Sequence, residues 1–151
     1  MFFVFLLSGC EEDKSEVSSG AGSSTGIVSD GGAASAAYSG VYFGEMTIVM
    51  NGDILRTRTI TRDATVVIGS DGTGSLITDG DRVSGTMNGS EFGFSIHIVD
   101  VKDLVECEGD ALITGRFTGN IGAGSISGSG ECKLLTLDEG FTMTGRLTVS
   151  R

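Results

Sequence analysis

From Val41 onward the chain alternates apolar and polar positions, and over no useful length do apolar residues recur at helical spacing. Alternation over short runs marks strands with one buried face. The runs are divided by Asn51-Gly52, Asp71-Gly72, Asp79-Gly80, Asn88-Gly89 and Gly119-Asn120. Such pairs supply the positive φ that tight hairpin turns need. They predict strands near 41–50, 54–69, 73–78, 81–87, 90–99, 110–118, 121–134 and 141–150. The expected fold is all-β: an antiparallel up-and-down meander of eight strands, closed into a small soluble β-barrel that follows a disordered tether.

A repeat strengthens this expectation. Val83-Ser84-Gly85-Thr86-Met87, Ile113-Thr114-Gly115-Arg116-Phe117 and Met143-Thr144-Gly145-Arg146-Leu147 share one pattern, with their glycines equally spaced along the chain. In each, the glycine and its apolar neighbours share one parity, and Ser, Thr and Arg take the other. One face is therefore buried and one wet. Inward glycine marks a tight bend, as a closed barrel requires. With Asn88-Gly89 as a turn, Phe92 lies opposite Gly85 and Phe94 opposite Val83. With Asp79-Gly80 as a turn, Leu76 faces Val83. In the last strand Phe141, Met143, Gly145, Leu147 and Val149 face inward.

The second strand is unusual. If Asn51-Gly52 sets its register, Thr57, Thr59, Thr61 and Asp63 share the inner parity, while Arg56, Arg58 and Arg62 take the outer one. Tyr42 would join the threonines from across the hairpin. A polar wall inside a small barrel is a candidate ligand site, because a lumen of this size holds one small molecule and needs a few polar groups to orient it. The competing reading is a bulge near Arg62-Asp63 that shifts the register, or an exposed edge.

Before the strands lies a different kind of sequence. Residues 11–37 are mostly Ser, Gly, Ala and acidic residues, with almost nothing to bury, so they are expected to form a flexible linker. Ahead of them, the apolar run Met1 to Leu7 ends in Leu6-Leu7-Ser8-Gly9-Cys10. This resembles the lipobox of a bacterial lipoprotein signal. The resemblance implies cleavage before Cys10, acylation of that cysteine and attachment to a membrane outside the cytoplasm. Glu11 after the cysteine implies the outer membrane by the same likeness. No Lys or Arg precedes Cys10, whereas secretory signals carry a basic n-region. The expectation is that the true start lies upstream. The expected organisation is a signal peptide over 1–9, a lipid-anchored linker over 10–37 and a barrel domain over 38–151.

The formal net charge of −10 argues against nucleic acid and against an anionic membrane surface as partners. Besides Cys10 the cysteines are Cys107 and Cys132. With Gly119-Asn120 as a turn, Ile113 faces Ile126, Gly115 faces Gly124, and Cys107 comes directly opposite Cys132. The pair falls at a non-hydrogen-bonded site, where Cα atoms approach to about 4.5 Å, close enough for a disulfide. An oxidising envelope would favour that bond.

Little else carries chemistry. His97, the single histidine, has the parity of Gly93 and Ser95 and should face solvent. No serine sits in a nucleophile elbow, and Gly122-Ala123-Gly124-Ser125-Ile126-Ser127-Gly128 lacks the helix that a phosphate cradle needs. The acidic stretch Asp100 to Asp110 reads as a solvated loop without the spacing of a calcium loop. No enzyme activity, cofactor or metal is expected. The shape is similar to avidin-like and lipocalin-like barrels in architecture alone, with none of their signature residues. The expected role is a structural or interaction barrel on a lipid tether, contacting another envelope protein. The alternative is a barrel that binds a small apolar or amphipathic ligand. A membrane-spanning barrel is disfavoured, because outward positions carry Thr142, Thr144, Arg146, Thr148 and Ser150.

Overall fold

The computed structural model describes residues 36–53 and 56–151. The predicted signal peptide, Cys10 and nearly all of the linker lie outside the described residues. Eight strands follow in order: β1 (Gly40–Gly52), β2 (Arg56–Ile68), β3 (Gly74–Thr78), β4 (Asp81–Asn88), β5 (Glu91–Lys102), β6 (Val105–Thr118), β7 (Ile121–Leu134) and β8 (Leu137–Ser150). Each pairs antiparallel with the next, and β1 also pairs with β8, so the sheet closes into a barrel. The fold class is the one the alternating pattern predicts.

The turns joining β1 to β2, β5 to β6, and β7 to β8 occupy one rim, and the β3–β4 turn points the same way but stops short of it. Tyr38, the start of β1 and Arg151 occupy the other. At the Tyr38 rim the lumen is plugged by aromatic rings. Phe117 stacks with Tyr38 at 5.6 Å and lies 4.5 Å from Tyr42 and 5.2 Å from Phe92, centroid to centroid. Tyr42 donates its hydroxyl to the Tyr38 carbonyl at 2.8 Å, which satisfies the one polar atom this ring brings inside. Further along, Met46, Ile48, Met50, Val66, Leu76, Phe94, Ile113, Met143 and Leu147 are fully buried in one contiguous cluster.

Glycine makes that packing possible. Phe92 stands opposite Gly115, and a Cβ on Gly115 would lie 2.5 Å from the Phe92 ring and collide with the Ala123 carbonyl oxygen. Gly145 similarly admits the Thr47 carbonyl. The aromatic–glycine pairing foreseen from the sequence is real, but its partners differ. β4 and β5 turn through Gly89 and Ser90, so Asn88 pairs with Glu91, Phe94 faces Gly85 and Phe92 faces Met87. The shift is two residues, and an even shift leaves every side chain on its own face.

The β1–β2 hairpin is the larger correction. It does not turn at Asn51-Gly52; Gly52 pairs with Arg56, which takes φ +58°. Tyr42 therefore faces Val66, not Thr61. The register moves by an odd number of residues, and the faces exchange. Thr57, Thr59, Thr61 and Asp63 are exposed outside, while Ile60, Ala64, Val66 and Ile68 face inward. Burial decides the outcome. A fully buried Val or Ile is worth roughly 1.5–3 kcal/mol, and the alternative register would have turned Val66 and Ile68 outward. Arg58 and Arg62 take the inner parity as a consequence.

The stretch expected as an acidic loop is also a hairpin. β5 runs on to Lys102 and β6 starts at Val105, with Asp103 at φ +58° in the turn. Glu106, Glu108 and Asp110 are exposed on its outer face. No bulge interrupts β6 and β7, so Cys107 reaches Cys132 with Cα atoms 4.0 Å apart, and the two form a disulfide.

The glycine–aromatic interlock yields a direct comparison. Gly115→Ala should lose about 1–3 kcal/mol through overpacking. Gly140→Ala, where an added Cβ meets only the Gly130 carbonyl at 4.0 Å, should stay within about 0.5 kcal/mol of the parent. Urea denaturation of the two variants checks the difference.

Candidate functional site

The inner polar wall expected from the sequence is not assembled. Tyr42 is buried in the aromatic plug. The Thr57 hydroxyl meets the Asn51 side chain at 3.0 Å on the outer surface, and Thr59, Thr61 and Asp63 follow it there. The structure gathers a different set of polar groups, and it does so because β3 and β4 are short.

β3 pairs with β2 only over Thr65–Ile68, and β4 pairs with β5 only over Glu91–Phe94. Beyond the β3–β4 turn, β2 continues to Arg56 and β5 to Lys102 with no strand among the described residues between them. The wall is therefore incomplete toward the rim opposite Tyr38, and a slot separates the two strands. Arg58 and Arg62 reach across it. Arg58 Nη2 lies 2.8 Å from Asp100 Oδ2 on β5. Arg62 Nη1 lies 2.9 Å from Asp79 Oδ2 in the β3–β4 turn, and Arg62 Nη2 donates to the Val99 carbonyl at 3.2 Å. Their aliphatic stems cover the apolar interior while the guanidinium groups lie in the opening.

This latch is not fully satisfied. Asp100 Oδ2 has its ion pair but no aligned hydrogen bond, and the buried Thr78 Oγ1 at the end of β3 has no hydrogen-bond partner among the described residues. A desolvated hydroxyl without a partner carries a cost, and its place beside an opening spanned by two ion pairs marks the slot as the candidate site. The parity of Ile60, Ala64, Val66 and Ile68 was the signal that could have placed Arg58 and Arg62 here.

Other polar groups are simpler. His97 Nδ1 lies 2.9 Å from Asp110 Oδ1 across β5 and β6, and both side chains are exposed as expected for His97. No group of three His, Cys, Asp or Glu among the described residues could hold a metal ion. A cleft of about 740 Å³ runs along the outer wall over Gly93, Gly115 and Gly124, between Arg116 and Arg146. A smaller one of about 280 Å³ lies over Gly109 and Gly130, beside His97. In both, inward-facing glycines draw the wall toward the lumen and leave a hollow outside. In the β2–β3 turn, Asp71 accepts from the Thr73 hydroxyl at 2.7 Å and its amide at 3.0 Å. The hydroxyl bond, followed by the amide bond, holds the Asp71 carboxyl below its ordinary value.

No protein-family model matches the chain, and no curated protein or solved structure does either.

Two measurements test these electrostatics. A double-mutant cycle on Arg58 and Asp100 should give a coupling of about 0.5–1 kcal/mol, because the pair is only partly buried, and the coupling should shrink in high salt. By NMR, Asp71 should titrate below an ordinary aspartate, and Thr73→Val should move it back up. Because the folded value is depressed, the Asp71 contribution is present above the unfolded pKa and is lost as pH falls through the folded one.

Proposed function

We propose that this chain is a non-catalytic interaction barrel, displayed at a bacterial envelope on a lipid attached to Cys10. The observation that carries the interaction half is the filled lumen. Tyr42, Met46, Met50, Phe94, Ile113 and Met143 occupy the space in which a lipocalin-like barrel would hold a ligand. Every hollow described above opens on the outer wall, so recognition falls to the outside. The filled interior weighs against the small-ligand alternative.

The anchor rests on Leu7-Ser8-Gly9-Cys10 and the polar linker after it. A lipid anchor suits this barrel better than a transmembrane role. Its outer face is rich in Thr, Ser, Arg and Glu, and the slot leaves strand edges that hydrocarbon could not tolerate. The Cys107–Cys132 disulfide fits an oxidising compartment. The choice of outer membrane rests on Glu11 after the cysteine.

The test is metabolic labelling with an alkyne-tagged fatty acid in a bacterial host expressing the full chain with its own upstream sequence. The parent protein should take up label and sediment with membranes, and Cys10→Ser should do neither. Equal labelling of the two, or none in either, would refute the anchor. Native mass spectrometry of the delipidated protein should give the bare chain mass; a reproducible extra mass would refute the filled-lumen reading.

A further inference from the structure

We infer that the slot between β2 and β5 is a docking site for an extended peptide strand of a partner protein, added to the free edge of β5. This deepens the interaction reading above by naming the kind of partner and the surface it meets.

The edge is defined by hydrogen-bond direction. The Val99 carbonyl points into the slot, where Arg62 caps it at 3.2 Å. Backbone groups of an antiparallel strand alternate sides, so those of Ser95, His97 and Val101 point the same way. β6 occupies only the opposite side of β5. On the far wall, the Gly69 amide donates to the Thr73 carbonyl at 2.8 Å, which sets the odd-numbered residues of β2 toward the slot. Ser95 still lies beside Ser84 at the end of the β4 ladder, so an incoming strand meets an unpaired ladder on β5 from His97 onward and a second edge on β2.

Edge protection is the plainest alternative account of the arginines, since proteins blunt free edges with charge. Two observations argue for more than protection. Val99 and Val101, on the outer face of that same edge strand, are 45% and 65% exposed. A protected edge avoids β-branched apolar residues beside it, whereas an added strand would cover them with its own side chains. The buried Thr78 hydroxyl, which has no hydrogen-bond partner among the described residues, lies beside the opening that a peptide would fill.

Charge names the partner more closely. Val99 and Val101 stand beside Glu108 and Glu106 on β6, Asp63 lies across the slot on β2, and Asp103 is in the turn beyond. The fitting strand has β-branched residues on its outward side and cationic residues at its ends. Entry requires Arg62 to leave Val99, which its partly exposed position permits.

The probe is a synthetic peptide of alternating valine and threonine between terminal lysines, added to the full-length chain. Hydrogen exchange should slow at the amides of His97, Val99 and Val101. Arg62→Ala should tighten binding by freeing the Val99 carbonyl. Val101→Pro, which removes a donor from an edge that tolerates proline, should weaken it at least about tenfold. A peptide N-methylated along its pairing edge should fail to bind. Protection absent from β5 at millimolar peptide in both the parent and Arg62→Ala would overturn the inference. So would binding indifferent to N-methylation, or equal binding of a peptide with scrambled order. These readings use purified protein and do not depend on acylation at Cys10 or on an empty lumen. Failure here therefore leaves the lipid-anchored reading standing, and failure of labelling leaves this one standing.

Discussion

A small closed barrel must fill a lumen that is too narrow for a large side chain from every strand at every level. Phe92, Phe94 and Phe117 enter this one only because positions across from or beside them carry no side chain. Phe92 lies against Gly115 and Gly124, Phe94 against Gly85, and Phe117 against Gly122. The glycines repeated along the chain are thus the complement of the aromatics. The same glycines let the wall approach the lumen, which produces the hollows outside. Interior packing and outer relief have one cause, so changing a glycine to fill a hollow would disturb the core beneath it.

That coupling explains why so much of the fold was legible from residue order. Gly119-Asn120 is a two-residue turn between long strands, and it fixes a register that carries unbroken to Cys107 and Cys132. The Asn88-Gly89 hairpin was misplaced by two residues, with the aromatic partners changed and the faces kept. The β1–β2 hairpin was misplaced by an odd number, and there the reading inverted. The Asn-Gly pair has the chemistry of a turn but lies within β1, which runs through Gly52, and β2 returns from Arg56. Turn chemistry is local and Asn51-Gly52 satisfied it; burial of Val66 and Ile68 is not local, and it prevailed. The arginine latch was hidden by the same error, since Arg58 and Arg62 could be placed inside only by giving up the threonine wall.

The length of β3 and β4 was predicted from the sequence, but its consequence was not. A short hairpin within a closed barrel leaves its neighbours unpaired beyond its tip, and no residue within the hairpin announces this. The gap belongs to β2 and β5, which are brought together by pairings elsewhere in the sheet. Arg58 and Arg62 respond to it in the way long basic side chains can, with stems over the core and charges in the opening. Two partly exposed ion pairs are weak closures, each worth at most about 1 kcal/mol. A missing strand would have offered several ladder hydrogen bonds in their place, each worth about 0.5–1.5 kcal/mol net.

The barrel is therefore unequal along its axis. At the rim where β1 begins, Tyr38 and Tyr42 close the lumen against Phe117, and the Tyr42 hydroxyl is satisfied by the Tyr38 carbonyl. Toward the opposite rim, closure depends on the Arg58 and Arg62 side chains, and the Thr78 hydroxyl has no hydrogen-bond partner among the described residues. Leu104 and Leu135, in the turns at that rim, are 73% and 84% exposed, and Leu135 adopts φ +52°, where a branched side chain is strained. Backbone strain, unpaired edges and an unsatisfied hydroxyl each lower stability and need not have coincided. Apolar exposure is shared by both rims, since Val41, Phe43 and Ile121 are exposed where β1 begins, whereas the non-glycine residues of positive φ, Arg56, Asp79, Asp103 and Leu135, all lie toward the other end. The concentration of backbone strain and unpaired edges at one end is what a surface kept available for a partner would show.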